Sequence, residues 1–295
     1  RGIREGETFN IIDYSDSIAA LGNVPLVKTP ETLQSAEKYL AGLSPNGGTN
    51  IHDALLEALR PDPAKDAVPM VIFLTDGLPT VGERSEVKIR DAAKKANSEG
   101  RRIFSFGVGF DVNAPLLSNL ATSSRGAATF VLPQEDVEVK VSQVFRRLEG
   151  PVMTEPTIVT SGGVLAEMQP SVLPDVFEGD QLVVLGQYRG SEPIRVTLQG
   201  KSRGKDLSTH VTLNPKDATV RHSFIPRIWA TRKVAALVDQ IRQMGAEGLA
   251  QDDPRMKELT EEIVRLSTRY GILTEYTAFL AREEVDFSAG MAPIA

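Results

Sequence analysis

Two short polar loops carry the residue types and the spacing that could support ligand chemistry. The first, residues 45–50, ends in Gly-Gly-Thr-Asn and directly precedes a helical pattern that begins at Ile51. The second begins with Asp76, which follows the most apolar segment of the chain, residues 69–75. A carboxylate at the end of a buried strand is costly unless it caps backbone N–H groups or binds a cation. Because open parallel sheets bind ligands outside the carboxyl ends of their strands, Asp76 is a candidate binding residue.

Ordinary structural roles also fit these loops. Thr49 could be the N-cap of the following helix, and Asp76 could be a turn residue in an Asp-Gly pair. The glycine pair could cradle a phosphate at a helix N-terminus, but the loop lacks the lysine of a P-loop and the spacing of GxGxxG. The histidines are scattered, with no carboxylate or serine at motif spacing; they are His52, His210 and His222. The residues alone leave capping and cation binding both open.

The surrounding elements follow from hydrophobic spacing. Strand-like runs cover residues 8–14, 69–75, 102–108 and 129–132. Helical spacing covers residues 31–43, 51–59, 86–98, 114–121 and 135–148. Strands that alternate with helices of this length predict an α/β fold, a doubly wound and mostly parallel sheet with helices on both faces. We therefore assign residues 1–149 to one α/β domain.

The pattern changes near residue 150. Short alternating runs, punctuated by Gly and Pro, predict a small antiparallel β module over residues 150–222. Residues 223–287 form a predicted helical segment with amphipathic helices at 228–244 and 254–270. Residues 288–295 lack periodicity, and we expect a disordered tail there.

Composition excludes several functional classes. The chain has 295 residues, 33 Lys+Arg against 39 Asp+Glu, a net charge of −6 and no cysteine. The mild acidity argues against a general nucleic-acid binder, which needs a basic excess to neutralise phosphates. Without cysteine there are no disulfides, cysteine nucleophiles or zinc–thiolate sites. No stretch approaches the ~18 apolar residues of a membrane span.

The motifs in this order resemble a known family. GGTNI (47–51) followed by VIFLTDGLPT (71–80) resembles a von Willebrand factor A domain. The surrounding sequence is similar to bacterial relatives of the inter-alpha-trypsin inhibitor heavy chains, in which a β domain (the VIT domain) precedes the A domain. The segments that carry this similarity are FNIIDYSDS (9–17), FSFGVG (104–109), LPDVFEGDQLVVLGQYRG (173–190), FIPRIWATRKV (224–234) and RYGILTEYTAFL (269–280).

The resemblance implies a metal-ion-dependent adhesion site, which combines a DxSxS motif, a loop threonine and an aspartate after a strand. Thr49 matches the threonine and Asp76 the aspartate. Both are hard oxygen donors, which suit Mg²⁺ or Ca²⁺. In the family the remaining coordination position is taken by water or by an acidic side chain of a protein partner.

The DxSxS motif is where the chain departs from the family. A literal match exists at Asp13, Ser15 and Ser17, but it directly follows FNII, which in the family comes after the motif and its helix. We interpret it as a chance match and expect the first strand and the true motif to lie upstream of Arg1. The chain as given should then bind a cation weakly or not at all. The alternative is that Asp13, Ser15 and Ser17 are ligands.

The resemblance implies a non-enzymatic protein-binding or adhesion module, in the cell envelope or secreted. One alternative is a metal-dependent phosphohydrolase, which needs a second carboxylate and a lysine or histidine acting on a phosphoryl oxygen. No such set occurs at motif spacing. The other alternative is a structural scaffold whose metal site is vestigial.

Overall fold

The computed structural model describes residues 3–45, 47–64, 67–147, 151–202, 204–246 and 253–277. Asn46 of the first polar loop and the predicted tail at 288–295 lie outside the described residues. The chain divides into two compact units. The first comprises residues 1–159, 172–182 and 197–210, and the second comprises residues 160–171, 183–196 and 211–295.

The first unit begins with two short antiparallel strand pairs. The four strands are β1 (Thr8–Phe9), β2 (Ile12–Tyr14), β3 (Ile18–Ala20) and β4 (Leu26–Val27). β1 pairs with β4, and β2 pairs with β3. The single strand predicted over residues 8–14 is divided at Asn10, whose side-chain oxygen accepts hydrogen bonds from the N–H groups of Ile11 and Gly22. Because the side chain occupies these N–H groups, the strand ladder is interrupted there.

A three-stranded parallel sheet forms the centre of this unit, in the order β5-β6-β7. Its strands are β5 (Met70–Thr75), β6 (Arg102–Val108) and β7 (Ala128–Val131). The helices of the unit are α1 (Pro30–Ala41), α2 (Ile51–Leu59), α3 (Glu86–Ala96), α4 (Ala114–Ser123) and α5 (Val137–Arg147).

Side chains pack on both faces of the parallel sheet, although Ile72 and Leu74 of β5 are exposed. Phe73 and Ile103 pack in one cluster with residues of α2, α3 and α4. Phe104 and Phe106 belong to a second cluster, against which Val141 of α5 packs. Since successive side chains of a strand point to opposite faces, the two clusters lie on opposite sides of β6. The predicted α/β fold is confirmed.

Within the described residues, six strands follow in the region of the predicted β module, whose residues 150–222 are divided between the two units. They are β8 (Pro151–Ser161), β9 (Val164–Gln169), β10 (Val176–Phe177), β11 (Leu185–Arg189), β12 (Ile194–Ser202) and β13 (Lys205–Leu213). One sheet has the order β10-β8-β12-β13, and β9 pairs with β11 in another. The pairs β10–β8 and β11–β9 are antiparallel.

Two helices, α6 (Ile225–Ala246) and α7 (Pro254–Tyr270), pack together in the second unit. Trp229 of α6 is buried in their shared core, and its indole N–H donates to the carbonyl of Glu167 at 2.9 Å. The bounds of α7 match the predicted helix, because Asp253 caps its start and Gly271, with a positive φ of 64°, ends it. Within the described part of the chain, no helix is long and apolar enough to cross a membrane.

Candidate cation-binding site

Asp76 lies directly after the carboxyl end of β5, and its side chain is exposed. The preceding Thr75 is buried, and its hydroxyl both accepts from the Gly77 N–H at 3.4 Å and donates to the Gly77 carbonyl at 3.3 Å. These two bonds form a tight turn around Asp76. Within the described part of the chain, no hydrogen bond or ion pair engages the Asp76 carboxylate. The carboxylate therefore does not cap a backbone N–H group there.

Thr49 is half-buried beside the same turn. Its hydroxyl oxygen lies 3.3 Å from the point where a side chain on Gly77 would begin. The ordinary structural role considered for Thr49 was the N-cap of α2, and Thr49 does not have that role. Asn50 has that role, because its side-chain oxygen accepts from the Asp53 N–H at 3.3 Å. The Thr49 hydroxyl makes no hydrogen bond within the described residues, so it can serve as a neutral oxygen donor.

The literal DxSxS match lies at the turn between β2 and β3. The Asp13 carboxylate accepts a hydrogen bond from the hydroxyl of Tyr39 on α1. Burial, the hydrogen bond to Asp13 and the charge of Asp13 together raise the pKa of Tyr39 to about 12. Among the described contacts, no hydrogen bond joins the side chains of Asp13, Ser15 or Ser17 to Thr49 or Asp76.

Sequence reasoning missed two residues that hold the first polar loop. Asp16 accepts a hydrogen bond from the Gly48 N–H at 2.7 Å, and Thr80 accepts one from the Thr49 N–H at 2.8 Å. Asp16 stands inside the DxSxS match, at a position that the motif leaves open. Thr80 ends the segment VIFLTDGLPT. Both residues lie close to the two motifs in the sequence, which was the signal available for them. Their spacing did not predict that either side chain would contact the loop of the glycine pair.

Tyr14 ties β2 to the strand that carries Asp76. Its hydroxyl donates to the Leu74 carbonyl at 2.6 Å, and its ring stacks on Phe73 with 5.6 Å between ring centroids. Burial, with the charge of Asp76 in addition, raises the pKa of Tyr14 to about 12, although a hydrogen bond with Thr75 opposes the shift. β2 and β5 nevertheless belong to different sheets, so backbone pairing does not join them.

The donor set around Asp76 is small. Among the described residues, no group of three or more His, Cys, Asp or Glu side chains is placed to hold a metal ion. Asp76 can supply one charged oxygen donor and Thr49 a neutral one. Mg²⁺ requires six oxygens and often keeps several waters, so this pair fits an ion whose shell is completed by water or by a partner.

The comparisons with known proteins agree with this architecture. A family model for the von Willebrand factor type A domain matches residues 5–130. The inter-alpha-trypsin inhibitor heavy chain H4 of Homo sapiens is 25% identical over 298 residues, covering 95% of this chain and 31% of the relative. The heavy chain H2 of Sus scrofa is also 25% identical, covering 96% of this chain and 31% of that protein. The chain thus spans less than a third of the length of these curated relatives.

A solved structure described as von Willebrand factor type A from Catenulispora acidiphila aligns with a TM-score of 0.55 at 17% sequence identity. The alignment covers 98% of this chain and 76% of the other, and it supports the fold. Residues 5–130 thus match the von Willebrand factor type A domain, at the parallel sheet and the two loops of its carboxyl edge, and nearly the whole chain is similar in sequence to part of the inter-alpha-trypsin inhibitor heavy chains.

Proposed function

We propose that the chain is a protein-binding module whose first unit holds a divalent cation, Mg²⁺ or Ca²⁺, between Thr49 and Asp76. One observation carries the proposal. The Thr49 hydroxyl faces the turn that follows Asp76, and neither side-chain oxygen is used by a hydrogen bond within the described residues. Two unused hard oxygens at the carboxyl edge of a parallel sheet are suited to an ion rather than to internal structure.

The small donor set defines how the ion would act. Asp76 supplies charge, and Thr49 supplies a neutral oxygen. The remaining positions stay with water, so the ion keeps an open site for an acidic side chain of a protein partner. Because two fixed oxygens repay little of the dehydration of Mg²⁺, we expect a dissociation constant on the order of millimolar or weaker.

The phosphohydrolase alternative has less support. It requires a second carboxylate and a basic group beside the ion, and the described contacts of Asp76 include neither. The scaffold alternative predicts instead that the two oxygens bind no ion. Both alternatives are therefore separable by measurement of cation binding and of phosphatase activity.

Calorimetric titration of Mg²⁺ tests the proposal. Asp76→Ala should abolish the binding heat, and Thr49→Ala should weaken binding several-fold. Asp206→Ala removes an exposed carboxylate of β13 and is the matched control, which should bind as the unaltered chain does.

Three results would contradict parts of this proposal. Binding that is indifferent to Asp76→Ala would refute the assigned site. Loss of Mg²⁺ binding in Asp13→Ala, Ser15→Ala or Ser17→Ala would favour Asp13, Ser15 and Ser17 as ligands. Phosphate release from a general phosphatase substrate, lost in Asp76→Ala, would favour the hydrolase alternative.

A further inference from the structure

We infer that Asp16 is a positioning residue for the cation site: its carboxylate fixes the Gly47-Gly48 pair and thereby aims the Thr49 hydroxyl at the turn of Asp76. This inference rests on the proposed cation site. The Gly48 N–H donates to Asp16 Oδ1 at 2.7 Å. A hydrogen bond to an ionised acceptor is roughly twice as strong as one between neutral groups, so it can hold a flexible loop.

The glycine pair gives room to this carboxylate. Gly47 has a positive φ of 76°, and a side chain there would begin only 2.4 Å from Asp16 Oδ2. A side chain on Gly48 would begin 2.8 Å from Asp16 Oδ1 and 2.5 Å from Cγ2 of Val81. The carboxylate therefore lies directly against the backbone of both glycines. The loop does cradle an anion, but that anion is a side chain of the protein rather than a phosphate.

The residue after the pair is fixed from the other side. Thr80 accepts from the Thr49 N–H at 2.8 Å, and the Thr49 carbonyl accepts from the Thr80 N–H at 3.0 Å. The Asn50 N–H donates to the Ser15 carbonyl at 2.9 Å. With Gly48 held by Asp16, each residue from 48 to 50 has its N–H group bound. The Thr49 hydroxyl is left pointing at Gly77.

The same contacts argue that Asp16 acts through the loop. Its Oδ1 accepts from the Gly48 N–H, and its Oδ2 lies against Gly47, so both oxygens are next to the loop backbone. Without the carboxylate, two adjacent glycines would regain the widest conformational freedom of any residue type. An ion would then have to order the loop before Thr49 could bind it, which should weaken binding at least about tenfold.

The experiment uses Mn²⁺, a paramagnetic ion that accepts the same oxygen ligands as Mg²⁺, and the intact chain with isotopically labelled glycine. In the unaltered chain, Mn²⁺ should broaden the amide signals of Gly48 and Gly77 at the same ion concentration. In Asp16→Ala, the concentration that half-broadens Gly77 should rise at least about tenfold. Asp206→Ala should behave as the unaltered chain.

Asp16→Asn distinguishes positioning from ligation. An asparagine side-chain oxygen can still accept the Gly48 N–H, so binding should stay within about threefold of the unaltered chain. Asp16→Glu keeps the charge but moves the acceptor by one methylene, so it should bind less well; this variant and Asp16→Asn also serve if Asp16→Ala does not fold. Without metal, hydrogen exchange at Gly48 should be fastest in Asp16→Ala and intermediate in Asp16→Asn, whose acceptor is neutral.

Distinct results would overturn the inference. Unchanged Mn²⁺ broadening in Asp16→Ala, or in Asp16→Glu, would refute it and leave the cation site standing. A loss in Asp16→Asn as large as that in Asp16→Ala would show that the charge, not the hydrogen bond, is required. An absence of broadening at Gly77 in the unaltered chain would refute the cation site and the inference together.

Discussion

Two aspartates at opposite ends of the parallel sheet have opposite surroundings. Asp175 is buried, and its Oδ2 accepts from Nε of Arg102, the first residue of β6, at 2.6 Å. Its Oδ1 accepts from the Glu155 N–H at 2.9 Å. Asp76, after the last residue of β5, is exposed and makes no hydrogen bond within the described residues. The amino end of the sheet is thus built for stability, whereas the carboxyl end keeps oxygens available for a ligand.

The hydrogen-bond partners of these two aspartates, rather than their residue type, indicate which one stabilises the fold and which one is available to a ligand. The Arg102–Asp175 pair joins the start of β6 to the segment that leads into β10, and both its side chains are buried. Burial makes such a pair costly to break, because the remaining charge is left without compensation. An unengaged surface carboxylate such as Asp76 carries no such cost, so its removal should be felt only in binding.

The largest expected change in stability follows from removal of the Asp175 carboxylate. Asp175→Ala should lower the free energy of unfolding by about 3–5 kcal/mol, because Arg102 would remain buried and unpaired. Asp76→Ala should change it by less than about 0.5 kcal/mol. Urea unfolding followed by circular dichroism measures both. Equal stability losses in the two variants would refute the contrast between the two ends of the sheet.

The second effect concerns the glycine pair. In Gly48→Ala the new methyl carbon would begin 2.5 Å from Cγ2 of Val81, so the loop or Val81 must shift. We expect a loss of about 1–3 kcal/mol in unfolding free energy, as in other overpacked sites, together with weaker cation binding. Gly100→Ala is the control, because it meets no atom within 4 Å, although its φ of 61° also strains a side chain. If Gly48→Ala lowers the unfolding free energy no more than Gly100→Ala does, close packing is not the reason that position 48 requires glycine.

The third effect is the alkaline dependence of stability. The pKa of Tyr14 is about 12 in the folded chain, above the usual value of 10, so the unfolded chain loses this proton first. Its contribution to stability is therefore complete below pH 10 and is lost as the pH rises from about 10 to 12, by roughly 3 kcal/mol.

Tyr14→Phe should flatten that part of the alkaline decrease, and it should cost about 1 kcal/mol at neutral pH through the lost bond to Leu74. Unfolding measured between pH 7 and about 11 checks both statements. Tyr39→Phe is the comparison, since the pKa of Tyr39 is raised to about 12 as well. An unchanged alkaline slope in Tyr14→Phe would show that Tyr14 does not carry the dependence.

The fold was more predictable from sequence than the site. The sequence pattern placed α2, β6 and α7 at their observed bounds: the two helices bury residues at helical spacing, and β6 is an apolar run that is buried almost throughout. The break at Asn10 and the capping of α2 by Asn50 depend on individual side-chain hydrogen bonds, which periodicity does not report. Motif spacing made Thr49 and Asp76 candidates, and their cation binding stays a prediction. It did not indicate Asp16, since its contact with the loop forms only once β2 and β3 bring it to a segment more than thirty residues away.

The smallest expected change in stability concerns a buried oxygen of the second unit. Ser267 of α7 is 2% exposed, and its hydroxyl has no hydrogen-bond partner within the described residues. Unlike the unused oxygen of Asp76, this one is buried, on the residue next to Leu266 of the core that α7 forms with α6. Burial of this hydroxyl therefore costs desolvation free energy, and no ligand offsets that cost.

Ser267→Ala should raise the unfolding free energy by up to about 1 kcal/mol. A buried hydroxyl without a partner costs ~1–3 kcal/mol, and part of that gain is lost because the smaller side chain packs less well. Urea unfolding beside Ser98→Ala, a serine outside this core, measures the difference. A clear loss of stability in Ser267→Ala would show that the hydroxyl is bonded after all, and that an unengaged oxygen in this fold need not mark either a ligand site or a structural cost.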